Sequence, residues 1–305
     1  MSARKRVILF GASGTIGSAT ARALVEQGHD VTCVVRSPIE FKGARTATAD
    51  LAHASSVEAL FADAQYDAVI SCIASRSGVW EDAWAVDYKA NASILKAARR
   101  AGVPHMILLS AICVQKPRLA FQKAKLAFEA DLRGSGVAWS IIRPTAFFKS
   151  LSGQVERVKR GKPFLLFGDG ELTRCKPIAG DDLARFIVSA LNDPTKRNRV
   201  LPIGGPGPAI SPREQGQMLF DQLGRPARFR RVPVAILDAI IAALDLAGRV
   251  SKRAAAKAEY ACIGRYYATE SMLVLDPETG EYDANATPET GGRTLADHYR
   301  DLLAK

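Results

Sequence analysis

Four consecutive apolar residues, Val7-Ile8-Leu9-Phe10, predict a short buried strand, and three glycines at three-residue spacing follow at once, Gly11, Gly14 and Gly17. Helical periodicity takes over across 18–27 and stops at Gly28, where a left-handed cap is easiest. The same succession of short apolar run and amphipathic stretch then repeats. It predicts strands at 31–35, 45–48, 68–71, 105–110 and 139–143, and helices at 55–64, 80–100 and 119–133. Strand and helix in alternation predict an α/β fold, a doubly wound and mainly parallel sheet of the Rossmann kind. After Pro144 the alternation fails. A short strand at 164–167, a helix at 181–192, a strand at 200–203, a turn at 204–208 and a helix opening at Ser211 follow in irregular order.

The glycine run lies between a first strand and a first helix, and that position gives it chemical meaning. Gly11 allows a tight turn, Gly14 a close backbone approach to a bound group, and Gly17 close packing of helix on strand. The amides at the start of that helix, over Ser13, Gly14, Thr15, Ile16 and Gly17, favour a pyrophosphate. A dinucleotide is therefore expected. Its type is decided at the end of the second strand, where an acidic residue would bind the adenosine ribose and repel a 2′-phosphate. Arg36 and Ser37 stand there instead, so NADPH is expected over NADH. Asp50 and Leu51, after the third strand, are candidates for the edge of the adenine pocket. Cys72 and Ala74, past the fourth, lie where open α/β sheets place ligands. The expected organisation is a dinucleotide-binding domain over 1–150, to which 176–205 returns, and a smaller C-terminal α+β substrate lobe built from 151–175 and 206–305.

Composition narrows the class. Lys and Arg number 42 against 31 Asp and Glu, a net charge of +11, while 48% of residues are hydrophobic. A soluble enzyme with affinity for anions fits that balance, whether the anion is a phosphorylated cofactor, a carboxylated substrate or an acidic membrane surface. No recognition motif for nucleic acid accompanies the charge. The five cysteines, Cys33, Cys72, Cys113, Cys175 and Cys262, form no paired motif, and the four histidines show no ligand spacing. No metal site is expected, and a reducing, cytoplasmic setting is. The stretch before the first strand is too short for a targeting peptide. An apolar helix at 234–247, with Asp238 and Asp245 seven apart, lies between basic segments at 225–231 and 249–257. It reads either as a helix packed within the lobe or as a surface facing lipid or pigment, flanked by cations that meet anionic headgroups.

The cofactor fold resembles the extended or atypical short-chain dehydrogenases/reductases, the NmrA-like branch included. The marks are the glycine spacing, Ser110 closing the fifth strand, Arg143-Pro144 after the sixth, and Asp181-Asp182-Leu183-Ala184. In such enzymes a Tyr-x-x-x-Lys turn supplies a proton donor and a lysine that holds the nicotinamide ribose. Here the segment is Phe121-Gln122-Lys123-Ala124-Lys125: Lys125 fits the lysine, and Phe121 cannot donate a proton. The resemblance narrows over longer blocks. Leu109-Ser110-Ala111-Ile112-Cys113-Val114-Gln115-Lys116-Pro117, Arg143-Pro144-Thr145-Ala146-Phe147-Phe148-Lys149-Ser150-Leu151, Gly264-Arg265-Tyr266-Tyr267-Ala268-Thr269-Glu270-Ser271-Met272 and Leu275-Asp276-Pro277-Glu278-Thr279-Gly280-Glu281-Tyr282 are similar to the divinyl chlorophyllide 8-vinyl reductases.

That resemblance implies NADPH-dependent reduction of the C8 vinyl group of a divinyl (proto)chlorophyllide to ethyl, in chlorophyll or bacteriochlorophyll synthesis. The absence of a leading transit peptide implies a bacterial type. It makes Ser110, Lys125, Pro144 and Thr145 cofactor-binding residues, with Lys125 holding the nicotinamide ribose. The proton would come from Lys123, Tyr266, Tyr267 or water. A tetrapyrrole with a propionate needs an apolar slot and a cation, and Phe147, Phe148 and Lys149 are candidates. Three other readings stay open: an NmrA-like NADP(H) sensor without turnover, suggested by Phe121, an isoflavone-type reductase of another conjugated double bond, and an accessory subunit with a bound, unreacted NADPH. Peripheral attachment to the inner face of a photosynthetic membrane is a further expectation, and oligomeric state is left open.

Overall fold

The computed structural model describes residues 4–62 and 64–304. In chain order come β1 (Arg6–Phe10), α1 (Thr15–Glu26), β2 (Asp30–Val35), β3 (Arg45–Thr48), α2 (Ala54–Ala59) and β4 (Ala68–Ser71). Then follow α3 (Trp80–Ala83), a π-helical stretch Trp84–Ala90, α4 (Asn91–Arg100), β5 (His105–Leu109), a 3-10 turn Ile112–Gln115, α5 (Ala120–Arg133) and β6 (Ala138–Pro144). Short helices α6 (Phe148–Leu151) and α7 (Val155–Lys159) precede β7 (Phe164–Phe167), and α8 (Gly180–Ser189) precedes β8 (Arg199–Ile203). The chain divides into two units, one of residues up to Arg143 with Gly180–Leu201, the other of Pro144–Ala179 with the residues from Pro202 on. The sequence expectation sets these divisions at 150, 176 and 205.

The first unit is built on a seven-stranded sheet in the order β3-β2-β1-β4-β5-β6-β8, the doubly wound fold that the sequence pattern predicts. Every pair from β3 through β6 is parallel. Helices cover both faces of such a sheet, so its central strands are apolar throughout, and every residue of β4 and β5 is buried. Ile8, Phe10, Val69, Met106, Ile141 and, from the helices, Ile94 and Phe128 form one core. Each such side chain contributes about 1.5–3 kcal/mol by leaving water. Strand order reverses between β1 and β4. The carboxyl ends of those two strands, carrying the glycine turn and the Cys72–Ser75 segment, therefore form the crevice where this architecture binds ligands.

Four helices differ from the sequence expectation, among them α8, which ends at Ser189, short of the expected 192. α1 begins at Thr15, because Gly14 in extended backbone (φ −76°, ψ 167°) is its N-cap and the glycines conceal a first helical turn. α2 ends at Ala59, short of the expected 64; position 63 of that expectation lies outside the described residues. The expected helix at 80–100 is interrupted by the π-helical stretch, whose apolar periodicity resembles that of ordinary helix.

The second unit holds a parallel pair, β7 with β9 (Phe229–Val232), in register from Phe164 opposite Phe229 to Phe167 opposite Val232. Half of the basic segment at 225–231 is thus an edge strand. Phe148, Val158, Leu166, Phe220 and Tyr299 form this unit's core with α9 (Pro212–Gln222), which Ser211 and Glu214 cap reciprocally. After β9, α10 (Val234–Gly248) and α11 (Lys252–Thr269) pack together as a helical hairpin. A small antiparallel pair, β10 (Val274–Leu275) and β11 (Tyr282–Asp283), and α12 (Leu295–Leu303) complete the unit.

Candidate active site

The turn after β1 is held by contacts too close for any side chain. A Cβ on Gly17 would lie 2.0 Å from the Gly11 carbonyl oxygen, and one on Gly11, where φ is +79°, would lie 2.7 Å from the Cys72 backbone. α1 is therefore pressed onto the end of β1, and Ser13, Gly14 and Thr15 are left exposed at its N-terminus. No acidic residue occupies the first turn of α1, so nothing on that helix competes with an anion for its amides. The residues present fit a dinucleotide pyrophosphate.

Arg36 and Ser37 follow β2 and are exposed, and Arg36 has no acidic partner among the described residues. Its guanidinium is available to a 2′-phosphate, the group that distinguishes NADPH. Arg36→Asp is expected to raise the apparent Kd for NADPH about 10- to 100-fold and that for NADH a few-fold at most, by fluorescence titration; equal effects would remove Arg36 from the site. Asp50 is already occupied. Its carboxylate accepts from the Ala52 amide at 2.9 Å and faces His53 Nδ1 at 3.0 Å, contacts that hold it below the usual carboxylate range. Leu51 packs partly against the core. At the crevice, Cys72 extends the sheet by donating its amide to Phe10, and Ala74 is exposed.

Lys125 and Asp87 come together in the interior of this unit. Gln122 fixes the start of α5: its Oε1 accepts from the Arg118 and Leu119 amides at 2.8 Å, and its Nε2 donates to the Cys113 carbonyl at 2.9 Å. One turn on, the Lys125 ammonium meets Asp87 Oδ1 at 2.8 Å in a buried ion pair. Asp87 sits on the π-helical stretch, beside Asn91, which donates to the Asp87 and Val86 carbonyls and accepts the Ser71 hydroxyl at 2.6 Å. The other carboxylate oxygen of Asp87, Oδ2, is buried with no hydrogen-bond partner. An acceptor left dry in this way costs about 1–3 kcal/mol unless a ligand donor reaches it. The sequence reading missed Asp87. Its signal is a pair of polar residues, Asp87 and Asn91, on the otherwise apolar face of a long helix.

A second cluster lies one turn along α5. Glu129, wholly buried, accepts the Ser110 hydroxyl at 2.6 Å and pairs with both Arg143 Nε (3.1 Å) and Arg143 Nη2. Ser110 is therefore a member of a Ser–Glu–Arg network, with its proton already committed, rather than a free donor to a ligand. Lys123 is exposed, some 200° around α5 from Lys125, so the structure does not bring the two amines together. Phe121 is buried, with no hydroxyl at the position of the donor tyrosine.

In the second unit, Pro144 and Thr145 are buried, and the Thr145 hydroxyl donates to the Lys176 carbonyl. Phe148 belongs to the core, tilted 5.3 Å from the His298 ring, and so is not free to line a slot as expected. Phe147 is half-buried and Lys149 exposed. Tyr266 is buried and Tyr267 exposed, their rings packed edge to face at 5.6 Å.

Comparison with known proteins agrees with this geometry. The model of an NAD(P)H-binding family matches residues 11–194. A protein of Cucumis sativus, divinyl chlorophyllide a 8-vinyl-reductase, chloroplastic, is 46% identical over 319 residues, covering 98% of this chain and 76% of that protein. The protein of the same name from Zea mays is 47% identical over 316 residues, covering 97% of this chain and 79% of that one. Among solved structures, the binary complex of leucoanthocyanidin reductase with NADPH from Vitis vinifera gives a TM-score of 0.72 at 16% identity, covering 98% of this chain and 100% of that chain. What is shared at that identity is the fold. With a nucleotide-binding turn in place and nearly half its residues matched over almost its whole length, the chain belongs to the NAD(P)H-binding family and, within it, to the divinyl chlorophyllide a 8-vinyl-reductases.

Proposed function

We propose that this chain reduces the C8 vinyl group of a 3,8-divinyl (proto)chlorophyllide to ethyl with NADPH. The observation that carries the reading is identity of 46–47% to vinyl-reductases across nearly the full length of the chain. Phe121 supports it chemically. A carbonyl needs a proton as its oxyanion forms, and a phenyl ring cannot give one, whereas a vinyl group on a tetrapyrrole can spread charge into the macrocycle. Bound NADPH would supply the hydride for this two-electron reduction, assigned to the terminal vinyl carbon, with a proton taken up at the inner carbon. Electrons balance: the olefin gains two and the nicotinamide is oxidised.

The residues of this chain supply binding and alignment, which can account for much of a rate enhancement. The amides from Ser13 to Gly17 hold the pyrophosphate, and Arg36 holds the 2′-phosphate. Lys125 would hold the nicotinamide ribose, and Asp87 keeps that ammonium in place, its unpartnered Oδ2 open to a further donor. Phe147 offers an apolar wall and Lys149 a cation for the substrate propionate. The proton comes from Tyr266, Tyr267 or solvent, Lys123 being on the far side of α5. The cation surplus supports peripheral contact with an anionic membrane at the inner face of the photosynthetic membrane, where an apolar pigment would be handed over. NADPH deuterated at the transferred position should yield an ethyl group labelled on its terminal carbon; label on the inner carbon would reverse the assigned polarity.

A further inference from the structure

The hairpin of α10 and α11 leaves an apolar face to solvent that the catalytic reading does not use. No residue of α10 is buried. At about 100° per residue, Ile236, Ile240, Ala243, Leu246 and Ala247 fall on one stripe, all exposed, with Leu246 at 65%; Val250, in the turn just past the helix, is 92% exposed. Asp238 and Asp245 fall on the other side of the helix. Asp238 pairs there with Arg265 of α11, and the half-buried Leu237, Ile241 and Leu244 turn away from the stripe. The exposed helix face is therefore free of charge. Cations stand at both of its ends: Arg230 and Arg231 just before α10, and Arg249, Arg253 and Lys257 just after, all exposed. Tyr260, on α11, is 66% exposed and adds an aromatic ring with a polar tip.

We infer that this face is a membrane-docking surface, on which α10 lies in the plane of an anionic lipid bilayer with its apolar stripe in the acyl boundary. Charge complementarity selects the occupant. A second copy laid on the same face would set arginines against arginines, with the two acids turned away and unable to compensate, whereas anionic headgroups neutralise cations at both ends of the stripe. Length agrees. α10 has 15 residues, short of the roughly 20 needed to cross a bilayer, and no helix of the described residues is long and apolar enough to do so. A strong apolar stripe on a short helix flanked by cations lies along an interface.

The test needs neither pigment nor cofactor, so its outcome is independent of vinyl reduction. The whole protein is floated with vesicles of phosphatidylcholine alone and with vesicles containing a third of phosphatidylglycerol, at low and high salt. Binding is expected to the anionic vesicles only, weakening with salt. Ile240→Glu with Leu246→Glu, and separately Arg249→Glu with Arg253→Glu, should each weaken it about tenfold or more. Both variants should keep the wild-type melting temperature and NADPH affinity, which separates lost docking from lost folding. No binding by the wild type would overturn the inference. So would unchanged binding by either variant, or a dimer in sizing experiments that the Glu variants dissolve.

Discussion

Gly17→Ala should all but abolish NADPH binding. The new methyl carbon would sit 2.0 Å from the Gly11 carbonyl oxygen and 2.7 Å from its carbon, both backbone atoms with no rotamer to retreat to. Relief requires α1 to lift from the end of β1, and that movement takes the Ser13–Gly17 amides away from the pyrophosphate. Overpacking of this kind costs about 1–3 kcal/mol in stability, and losing the cradle should raise the NADPH Kd on the order of a hundredfold. Gly14→Ala is the internal comparison. Its Cβ would approach the same oxygen no closer than 3.3 Å, a contact that a small shift relieves, so its effect should be several times smaller. Titration of NADPH fluorescence, with a thermal melt of each variant, measures both. Equal effects at the two positions would mean that the turn does not hold the cofactor as described.

Lys125→Ala should have the second large effect, and it divides into two parts. Removing the ammonium leaves the fully buried Asp87 carboxylate without its partner, a loss of about 3–5 kcal/mol. The same change removes the group assigned to the nicotinamide ribose, which should lower kcat/KM on the order of a hundredfold or more. A double variant separates the two. Asp87→Leu combined with Lys125→Met replaces the ion pair by apolar side chains and should recover most of the stability, as such replacements often do, without recovering NADPH affinity or turnover. A double variant restored in activity, or a Lys125→Ala protein with full kcat and unchanged NADPH affinity, would remove the pair from the site.

How much of this site was legible in the sequence depends on how locally each part is determined. The turn from Val7 to Gly17 could be read because sterics fix it within a dozen residues: only glycine fits at positions 11 and 17. Arg36 stands out as a candidate because it follows a buried strand at a place the fold assigns to the ribose. Asp87 could not. Its importance comes from a buried face that exists only once α5 packs beside the π-helical stretch, and in the sequence it is one polar residue among several in a long helix. Glu129 escaped notice similarly, since its partners Ser110 and Arg143 come from the ends of two different strands, and their pairing commits the hydroxyl of a serine that the sequence offered for cofactor binding. Phe148 looked like a ligand wall beside Phe147, but Phe148 opens a short helix and turns into the core, while Phe147, its extended N-cap, stays half-buried. The basic segment at 225–231 read as a charge cluster because β9 is an edge strand whose outward arginines mask its pairing with β7.

The central claim is that this chain transfers a hydride to an olefin without a tyrosine at the usual donor position. Purified protein mixed with NADPH and divinyl chlorophyllide tests it most directly, by following the Soret band and the nicotinamide absorbance together. The account predicts a blue shift of the Soret band with one NADPH consumed for each ethyl group formed. Tight binding of NADPH with an unchanged pigment spectrum would contradict it, and would make the chain a nucleotide-binding protein without this turnover.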